Sequence, residues 1–168
     1  GYSLRMVFAI YPGSFDPVTR GHLDLVERAL PLFDKLTVAV AVNSSKNATF
    51  TPEERVAMLR EVLPADPRLS VTTFRGLVVD FCRAQGIGAI LRGVRTVSDF
   101  EYEYQMALTN RHLAPGIETV FVMPSVQYSY VSSSLIREIV RNGGDVGSFL
   151  PPPVESRLRE RLRPSTSS

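Results

Sequence analysis

Several features that define special classes of protein are rare or absent in the 168-residue sequence. It has no tryptophan and one cysteine, Cys82, so no disulfide can form within the chain. Its 19 basic and 17 acidic residues leave a formal net charge of only +2, which does not favour a nucleic-acid or membrane-surface protein. No apolar run approaches the ~20 residues that span a bilayer, and no signal-peptide pattern opens the chain. We therefore expect a cytoplasmic protein that binds neither nucleic acid nor membranes.

What is present is typical of a globular domain. Hydrophobic residues make up 44% of the sequence and charged residues 21%, and a chain of this length suits one domain. Residues 1–5 precede Met6, and we interpret them as a cloning remnant. Residues 6–163 are expected to form the domain, and the polar residues 164–168 a disordered tail. Cys82 follows the apolar run 77–81, which indicates a buried structural thiol.

Short apolar runs alternate with longer segments of helical period, the pattern of βαβ units. We predict a single-domain, Rossmann-like α/β fold with an open sheet of five parallel strands and helices on both faces. The expected strands are Met6–Ile10, Leu36–Val42, Leu69–Phe74, Ala89–Leu91 and Thr119–Met123. The expected helices are 20–33, 52–63, 77–85, 99–113, 133–142 and 152–162.

Capping residues mark several helix starts. Thr51-Pro52-Glu53-Glu54 is a capping box with proline at the first helical position, and Ser98 is expected to cap the helix 99–113 in the same way. Thr19 is expected to cap the first helix, which puts His22 at the third helical position. The helix dipole would lower the pKa of His22, so that a neutral imidazole donates to a phosphate oxygen. The alternative is that His22 serves the cap alone.

Polar segments follow four of the five strands. Because ligands bind outside the carboxyl ends of strands in an open parallel sheet, these segments are expected to meet at one edge. Each of them carries residues suited to phosphate. The four segments are 13–22, which contains His22; 43–46, which contains Lys46; 92–95, which contains Arg92 and Arg95; and 125–134, which contains three consecutive serines.

Each of these residues also has an ordinary interpretation. One serine of the run Ser132-Ser133-Ser134 could simply cap the helix that begins there, and a lone lysine or arginine is usually a solvated surface charge. Together they offer hydroxyl donors and positive potential for two phosphorylated substrates, with about 1.5–3 kcal/mol from each charge-assisted contact. The sequence has no G-x-x-x-x-G-K-[ST] loop, and Gly86-Ile87-Gly88 lacks the third glycine of a dinucleotide fingerprint.

Two of these segments resemble the signatures of a known superfamily. Ser14-Phe15-Asp16-Pro17 with Thr19-Arg20-Gly21-His22 resembles the (T/H)xGH signature of the nucleotidyltransferase α/β phosphodiesterases, and 131–134 with Arg137 resembles their ISSxxxR-type signature. Arg92-Gly93-Val94-Arg95 beside Asp99-Phe100-Glu101-Tyr102-Glu103 is similar to the bacterial phosphopantetheine adenylyltransferase family in particular. The resemblance runs from about Met6 to about Leu162.

The resemblance implies transfer of an adenylyl group from ATP to 4′-phosphopantetheine, which gives dephospho-CoA and pyrophosphate in the penultimate step of coenzyme A synthesis. The acceptor phosphate would attack directly, without a covalent enzyme intermediate. Mg²⁺ would be carried mostly by the triphosphate and water, with no protein ligand. A homohexamer and feedback inhibition by CoA are also implied.

The resemblance assigns roles to individual residues. The catalytic residues would be His22, which would stabilise the transition state, together with Lys46 and Arg92. The acceptor would be bound by Ser14, Lys46, Val78 and Arg92. The positions that would contact ATP are Ser14, Phe15, His22, Gly93, Val94, Arg95, Glu103, Tyr128, Ser129, Tyr130, Val131, Ser132, Ser133 and Ser134.

Two alternatives remain open at this point. The first is another member of the superfamily, a nicotinamide mononucleotide adenylyltransferase or a cytidylyltransferase. These enzymes share both signatures but lack the combination of 92–95 with 99–103. The second is a non-enzymatic nucleotide-binding regulator of flavodoxin-like fold. A receiver domain would need an aspartate at the end of its third strand, where this chain has Phe74-Arg75-Gly76.

Overall fold

The computed structural model of the chain describes residues 5–42 and 47–163. They form one five-stranded sheet in which every pair of neighbouring strands is parallel, in the order β3-β2-β1-β4-β5. The strands are β1 (Phe8–Gly13), β2 (Lys35–Ala41), β3 (Leu69–Phe74), β4 (Ala89–Gly93) and β5 (Glu118–Val122). The helices are α1 (Arg20–Ala29), α2 (Pro52–Val62), α3 (Val78–Gln85), α4 (Val97–Leu113), α5 (Ser133–Arg141) and α6 (Pro152–Arg161), with 3₁₀ turns at Leu30–Leu32 and Val126–Tyr128.

The sheet is covered on both faces because alternate strand residues enter two separate cores. In β1, Ala9 and Tyr11 pack into the core that contains residues of α1, α2, α5 and α6. Ile10 points to the other face, where it packs with Val79 and Cys82 of α3 and with residues that follow α4. This arrangement confirms the predicted α/β fold with helices on both faces.

A cleft opens at the centre of the sheet, where the strand order reverses. From β1 the chain proceeds outward to β2 and β3, and it then returns to the other side of β1 for β4 and β5. The ladder between β1 and β4 includes only Ala9 and Ile10 of β1, whereas the ladder between β1 and β2 continues to Gly13. The carboxyl ends of β1 and β4 therefore separate, which creates the kind of crevice where open α/β sheets bind ligands.

Most predicted elements are present, but several of their bounds differ. The predicted helix 20–33 is helical only to Ala29 and continues as a 3₁₀ turn, and the strand predicted to begin at Met6 begins at Phe8. Strand β1 ends at Gly13, not at Ile10, and β4 continues to Gly93, so Arg92 is a strand residue and not a loop residue. Ser98 does not cap α4. The hydroxyl of Thr96 accepts a hydrogen bond from the Asp99 N–H, and α4 begins at Val97.

The other caps are as predicted. Thr19, Thr51 and Ser132 each accept a hydrogen bond from a backbone N–H in the first turn of α1, α2 and α5. The expected disordered tail and most of the expected cloning remnant lie outside the described residues. None of the helices in the described ranges is both long and apolar enough to cross a bilayer.

Candidate active site

The cleft between β1 and β4 has a volume of about 290 Å³. Its walls come from four parts of the chain: the end of β1, the start of α1, the segment from β4 into α4, and the segment before α5. The lining residues are Tyr11, Pro12, Gly13, Ser14, Phe15, Thr19, Gly21, His22, Leu25, Arg92, Gly93, Arg95, Asp99, Glu103, Pro124, Tyr128, Val131, Ser132 and Ser133. We call this space the first cleft.

His22 is held by the N-cap of its own helix. The backbone N–H of Thr19 donates to Nδ1 of His22 at 3.0 Å, and the His22 N–H donates to the Thr19 hydroxyl at 3.2 Å. Because Nδ1 accepts a hydrogen bond, the proton of the neutral ring is on Nε2. His22 therefore does serve the cap, as the alternative interpretation held, but the cap uses only Nδ1. Nε2–H remains as a donor on a ring that lines the first cleft.

The pKa of His22 is lowered to about 4. Burial of the ring is the largest cause, and the positive charges of Arg95 and Arg92 add to it. The predicted direction of the shift is therefore correct, but neither of these causes is the helix dipole. Near pH 7 the imidazole is neutral and acts as a hydrogen-bond donor without charge.

Two aromatic rings fix the orientation of the histidine. The Phe15 and His22 ring centroids are 4.8 Å apart, and Tyr11 packs edge-on against Phe15 at 5.3 Å. Phe15 has φ of 49°, in the left-handed region that non-glycine residues rarely adopt. Such conformations persist where surrounding contacts hold them, often at ligand sites.

Arg92 extends from β4 into the cleft and is anchored by two partners. Its Nε donates to Glu103 Oε2 at 2.8 Å and its Nη1 to the Pro12 carbonyl at 2.9 Å, and its Nη2 completes a bidentate ion pair with Glu103. These bonds use three of the five N–H groups of a guanidinium, and no other residue of the ranges 5–42 and 47–163 bonds to the remaining two, which could serve a ligand. Glu103 is buried, and the ion pair therefore holds Arg92 in one orientation.

The segment before α5 and the first turns of α5 are tied to the rest of the site. The Ser133 hydroxyl donates to the Pro17 carbonyl at 2.8 Å, and Nη1 of Arg137 donates to the Asp16 carbonyl at 2.7 Å. Arg95 donates to the Val131 carbonyl and pairs with Asp99 at 3.0 Å. These contacts bring both signature segments to one place, although they are more than a hundred residues apart in sequence.

A second cleft of about 420 Å³ adjoins the first. Mostly apolar side chains line it, among them Phe74 at the end of β3, Leu77 and Val78 at the start of α3, and Met106 of α4. Pro12, Gly13, Ser14, Arg92 and Glu103 line both clefts. The site thus has a polar part and an apolar part that meet beside Ser14 and Arg92.

The two clefts bring together most of the residues singled out from the sequence. Ten of the expected ATP contacts line the first cleft: Ser14, Phe15, His22, Gly93, Arg95, Glu103, Tyr128, Val131, Ser132 and Ser133. Val78 lines the second. Four of the expected ATP contacts, Val94, Ser129, Tyr130 and Ser134, line neither cleft. Lys46 lies outside the described residues.

Sequence reasoning missed several lining residues. Tyr102, Met106 and Asn110 line the second cleft from one face of α4. Their spacing of four residues was a usable signal, because residues at i and i+4 share a helix face. Asp99 belongs to the segment 99–103 that carries the family resemblance, and it lines the first cleft.

The carboxylates of the first cleft are not arranged as a metal site. Asp99 is paired with Arg95 and Glu103 with Arg92. Among residues 5–42 and 47–163, no three His, Cys, Asp or Glu side chains come together in a way that could hold a metal ion.

Cys82 is fully buried in the core on the α3 face and lines neither cleft. Burial raises its pKa to about 11, so it stays a thiol. The interpretation as a structural cysteine is supported.

Comparisons with known proteins agree with this geometry. Residues 10–139 match the family described as cytidylyltransferase-like. This match covers more than half of the chain and places it in the nucleotidyltransferase class.

Curated relatives give a narrower result. The phosphopantetheine adenylyltransferase of Thiobacillus denitrificans is 54% identical over 158 residues, which cover 94% of this chain and 99% of the relative. The proteins of the same name from Geotalea daltonii and Desulforudis audaxviator are 53% and 52% identical, and each alignment covers at least 92% of this chain and 96% of the relative. The chain belongs to the phosphopantetheine adenylyltransferase family. It is a nucleotidyltransferase enzyme, and the regulator alternative is not supported.

Proposed function

We propose that the chain transfers the adenylyl group of ATP to 4′-phosphopantetheine, forming dephospho-CoA and pyrophosphate. The observation that carries this proposal is the junction of the two clefts. A polar cleft with His22 and two arginines suits a nucleoside triphosphate, and an apolar cleft suits the pantetheine arm. Ser14 and Arg92 lie where the phosphate groups of the two substrates would meet.

In the proposed reaction an oxygen of the acceptor 4′-phosphate attacks the α-phosphorus of ATP. A new P–O bond forms as the bond between the α-phosphorus and the bridging oxygen breaks, and pyrophosphate leaves with that electron pair. Catalysis of such a transfer depends mainly on positioning and on stabilising charge at phosphorus. No enzyme nucleophile is needed, which agrees with the burial of Cys82.

His22 is the proposed stabiliser of the transition state. Its Nε2–H would donate to an α-phosphate oxygen whose negative charge increases during attack. The fixed tautomer and the packing against Phe15 mean that this donor needs no reorganisation. The two free N–H groups of Arg92 would hold the acceptor phosphate, together with Ser14 and, as a further proposal, Lys46.

Mg²⁺ is proposed to arrive with the ATP triphosphate. The carboxylates of the first cleft are already paired with arginines. Phosphate oxygens and water would therefore be its main ligands, as Mg²⁺ commonly retains several waters. Bound in this way it would reduce the negative charge of the triphosphate.

Assembly and regulation are proposed on separate grounds. The helix α4 exposes the large apolar side chains of Phe100, Tyr104 and Leu108, whose spacing of four residues puts them on one helix face. Such a face is consistent with a homohexamer formed by contacts between copies. CoA carries the same pantetheine arm as the substrate, so it would compete for the second cleft as a feedback inhibitor. Cytoplasmic localisation stays a prediction.

The decisive experiment is a pyrophosphate-release assay with ATP, Mg²⁺ and 4′-phosphopantetheine. We expect turnover that depends on the acceptor, with dephospho-CoA identified by mass. Nicotinamide mononucleotide in place of the acceptor, and CTP in place of ATP, serve as comparison substrates. Equal turnover with either comparison substrate would overturn the assignment.

A further inference from the structure

Two buried charged residues connect the segment after β1 to the segment before α2. Arg55 of α2 is 4% exposed and Asp16 is 7% exposed. Neither of them is in an ion pair among the described residues. Each instead bonds to backbone groups, and at least one of these bonds crosses to the opposite segment.

Arg55 holds three parts of the chain with one guanidinium. Its Nη1 donates to the Ser14 carbonyl at 2.8 Å and more weakly to the Ala41 carbonyl at 3.4 Å, and its Nε donates to the Phe50 carbonyl at 3.1 Å. These carbonyls belong to the segment after β1, the end of β2 and the turn that precedes α2. The guanidinium therefore connects the chain just after β1 to the end of β2, one residue beyond the last ladder pair of Gly13 with Val40.

Asp16 makes the reciprocal connection. Its two carboxylate oxygens accept hydrogen bonds from the N–H groups of Thr49 and Phe50, at 2.8 and 2.9 Å. Residues 14–16 are thus bonded to α2 and its preceding turn in both directions. A buried polar network whose hydrogen bonds run in both directions in this way favours one arrangement of the segments it joins.

The position of this network is what connects it to the reaction. Ser14 lines both clefts at their junction, and Ala41 lines the second cleft. Attachment of α2 to the sheet does not require a buried charge, because Met58 and Leu59 already pack into the core. A buried charge without an ionic partner is costly, and it persists only where its hydrogen bonds are well made.

We propose that Arg55 is a positioning residue for adenylyl transfer. Through the Ser14 and Ala41 carbonyls it fixes the backbone that lines the second cleft, beside the junction of the two clefts where the acceptor phosphate would approach the α-phosphorus. The proposal rests on the proposed function of this site. Misplacement of the reacting groups by about 1 Å can lower the rate on the order of 10²-fold.

The test compares Arg55→Ala and Arg55→Lys with Arg60→Ala. Arg60 is on the same helix but exposed, and it donates to the Val71 carbonyl at 3.1 Å, away from both clefts. We expect Arg55→Ala to lower kcat by roughly 30- to 100-fold at equal concentrations of folded protein and to raise the KM of the acceptor more than that of ATP. Arg55→Lys keeps the charge but not the planar fork, so it should recover only part of the activity. Arg60→Ala should stay within about twofold of the parental chain.

Chemical rescue separates positioning from simple loss of folded protein. Methylguanidinium at millimolar concentration should restore activity to Arg55→Ala with saturation, and it should not affect Arg60→Ala. Kinetic constants within twofold of the parental values in folded Arg55→Ala would overturn the proposal. A rate loss equal to the loss of folded protein, without rescue, would overturn it as well.

A readout independent of turnover keeps this proposal distinct from the proposed function. Amide hydrogen exchange in residues 13–16 and 49–51 should be faster in Arg55→Ala than in Arg60→Ala. If the parental chain fails to use 4′-phosphopantetheine, the proposed function is wrong. Unchanged exchange in those residues would instead refute the role of Arg55.

Discussion

Replacement of His22 by alanine removes one neutral hydrogen-bond donor from the first cleft. Since Nδ1 accepts from the Thr19 N–H, the lost donor is Nε2–H. Loss of one preorganised donor to a transition-state oxygen typically lowers kcat by about 10²–10³, or about 2.7–4 kcal/mol. We expect a loss of that size for His22→Ala. The KM of ATP should change less than about threefold, because the interaction strengthens mainly in the transition state.

The same substitution also disturbs the cap of α1, and a control must account for this. Thr51→Ala removes the equivalent cap from α2, whose box is closed by Glu54, and Thr51 lines neither cleft. It should lower the free energy of unfolding by about 1 kcal/mol and leave kcat nearly unchanged. The assay is steady-state pyrophosphate release at varied ATP, with unfolding measured by denaturant for each variant. A large rise in the KM of ATP with unchanged kcat for His22→Ala would refute the reasoning.

Three further predictions follow from the charges and burial of the site. Because the pKa of His22 is about 4 in the folded chain and ordinarily 6.5, the unfolded chain binds the proton first as the pH falls. The free energy of unfolding should therefore decrease by about 3 kcal/mol between pH 6.5 and 4, and His22→Ala should lack this component in denaturant titrations across that range. Arg92→Ala should weaken 4′-phosphopantetheine binding in calorimetry, since Arg92 has two N–H groups free for a phosphate. The double variant Arg92→Ala with Glu103→Gln separates this effect from that of an unpaired buried carboxylate. Unaltered 4′-phosphopantetheine affinity in both variants would contradict the proposed role of Arg92 in acceptor binding. Cys82 should react with a thiol reagent only at the rate of unfolding, and fast labelling of the folded chain would contradict its burial.

The succession of strands and helices could be predicted from the sequence because its signals are local. Apolar runs, capping residues and helical period each depend on residues a few positions apart. The end of β1 could not be predicted in this way, because Tyr11-Pro12-Gly13 looks like a turn. The carbonyl of Pro12 is directed at Arg92 of β4, so its nitrogen faces the same gap, where the β1–β4 ladder has already ended. A missing N–H is tolerated there, and the strand continues.

The start of α4 shows a second limit of local signals. Ser98 and Thr96 each offer a hydroxyl with an acidic residue three positions later, so both frames satisfy the pattern of a cap. The structure uses Thr96. The ion pair between Arg95 and Asp99 and the position of Asp99 in the cleft accompany that choice.

The sequence by itself determined the α/β fold class, the capped position of His22 and the segments that would form the site. Its resemblance to a known family indicated the reaction. Only the tertiary structure determined which side chains line a cleft and which groups lower the pKa of His22. It alone also showed that Arg55 and Asp16 hold the backbone segments that line the site. The reason is that these properties depend on burial and on bonds between residues 34 to 41 positions apart. Such contacts exist only after the strands have paired, and no local pattern of residue types records them.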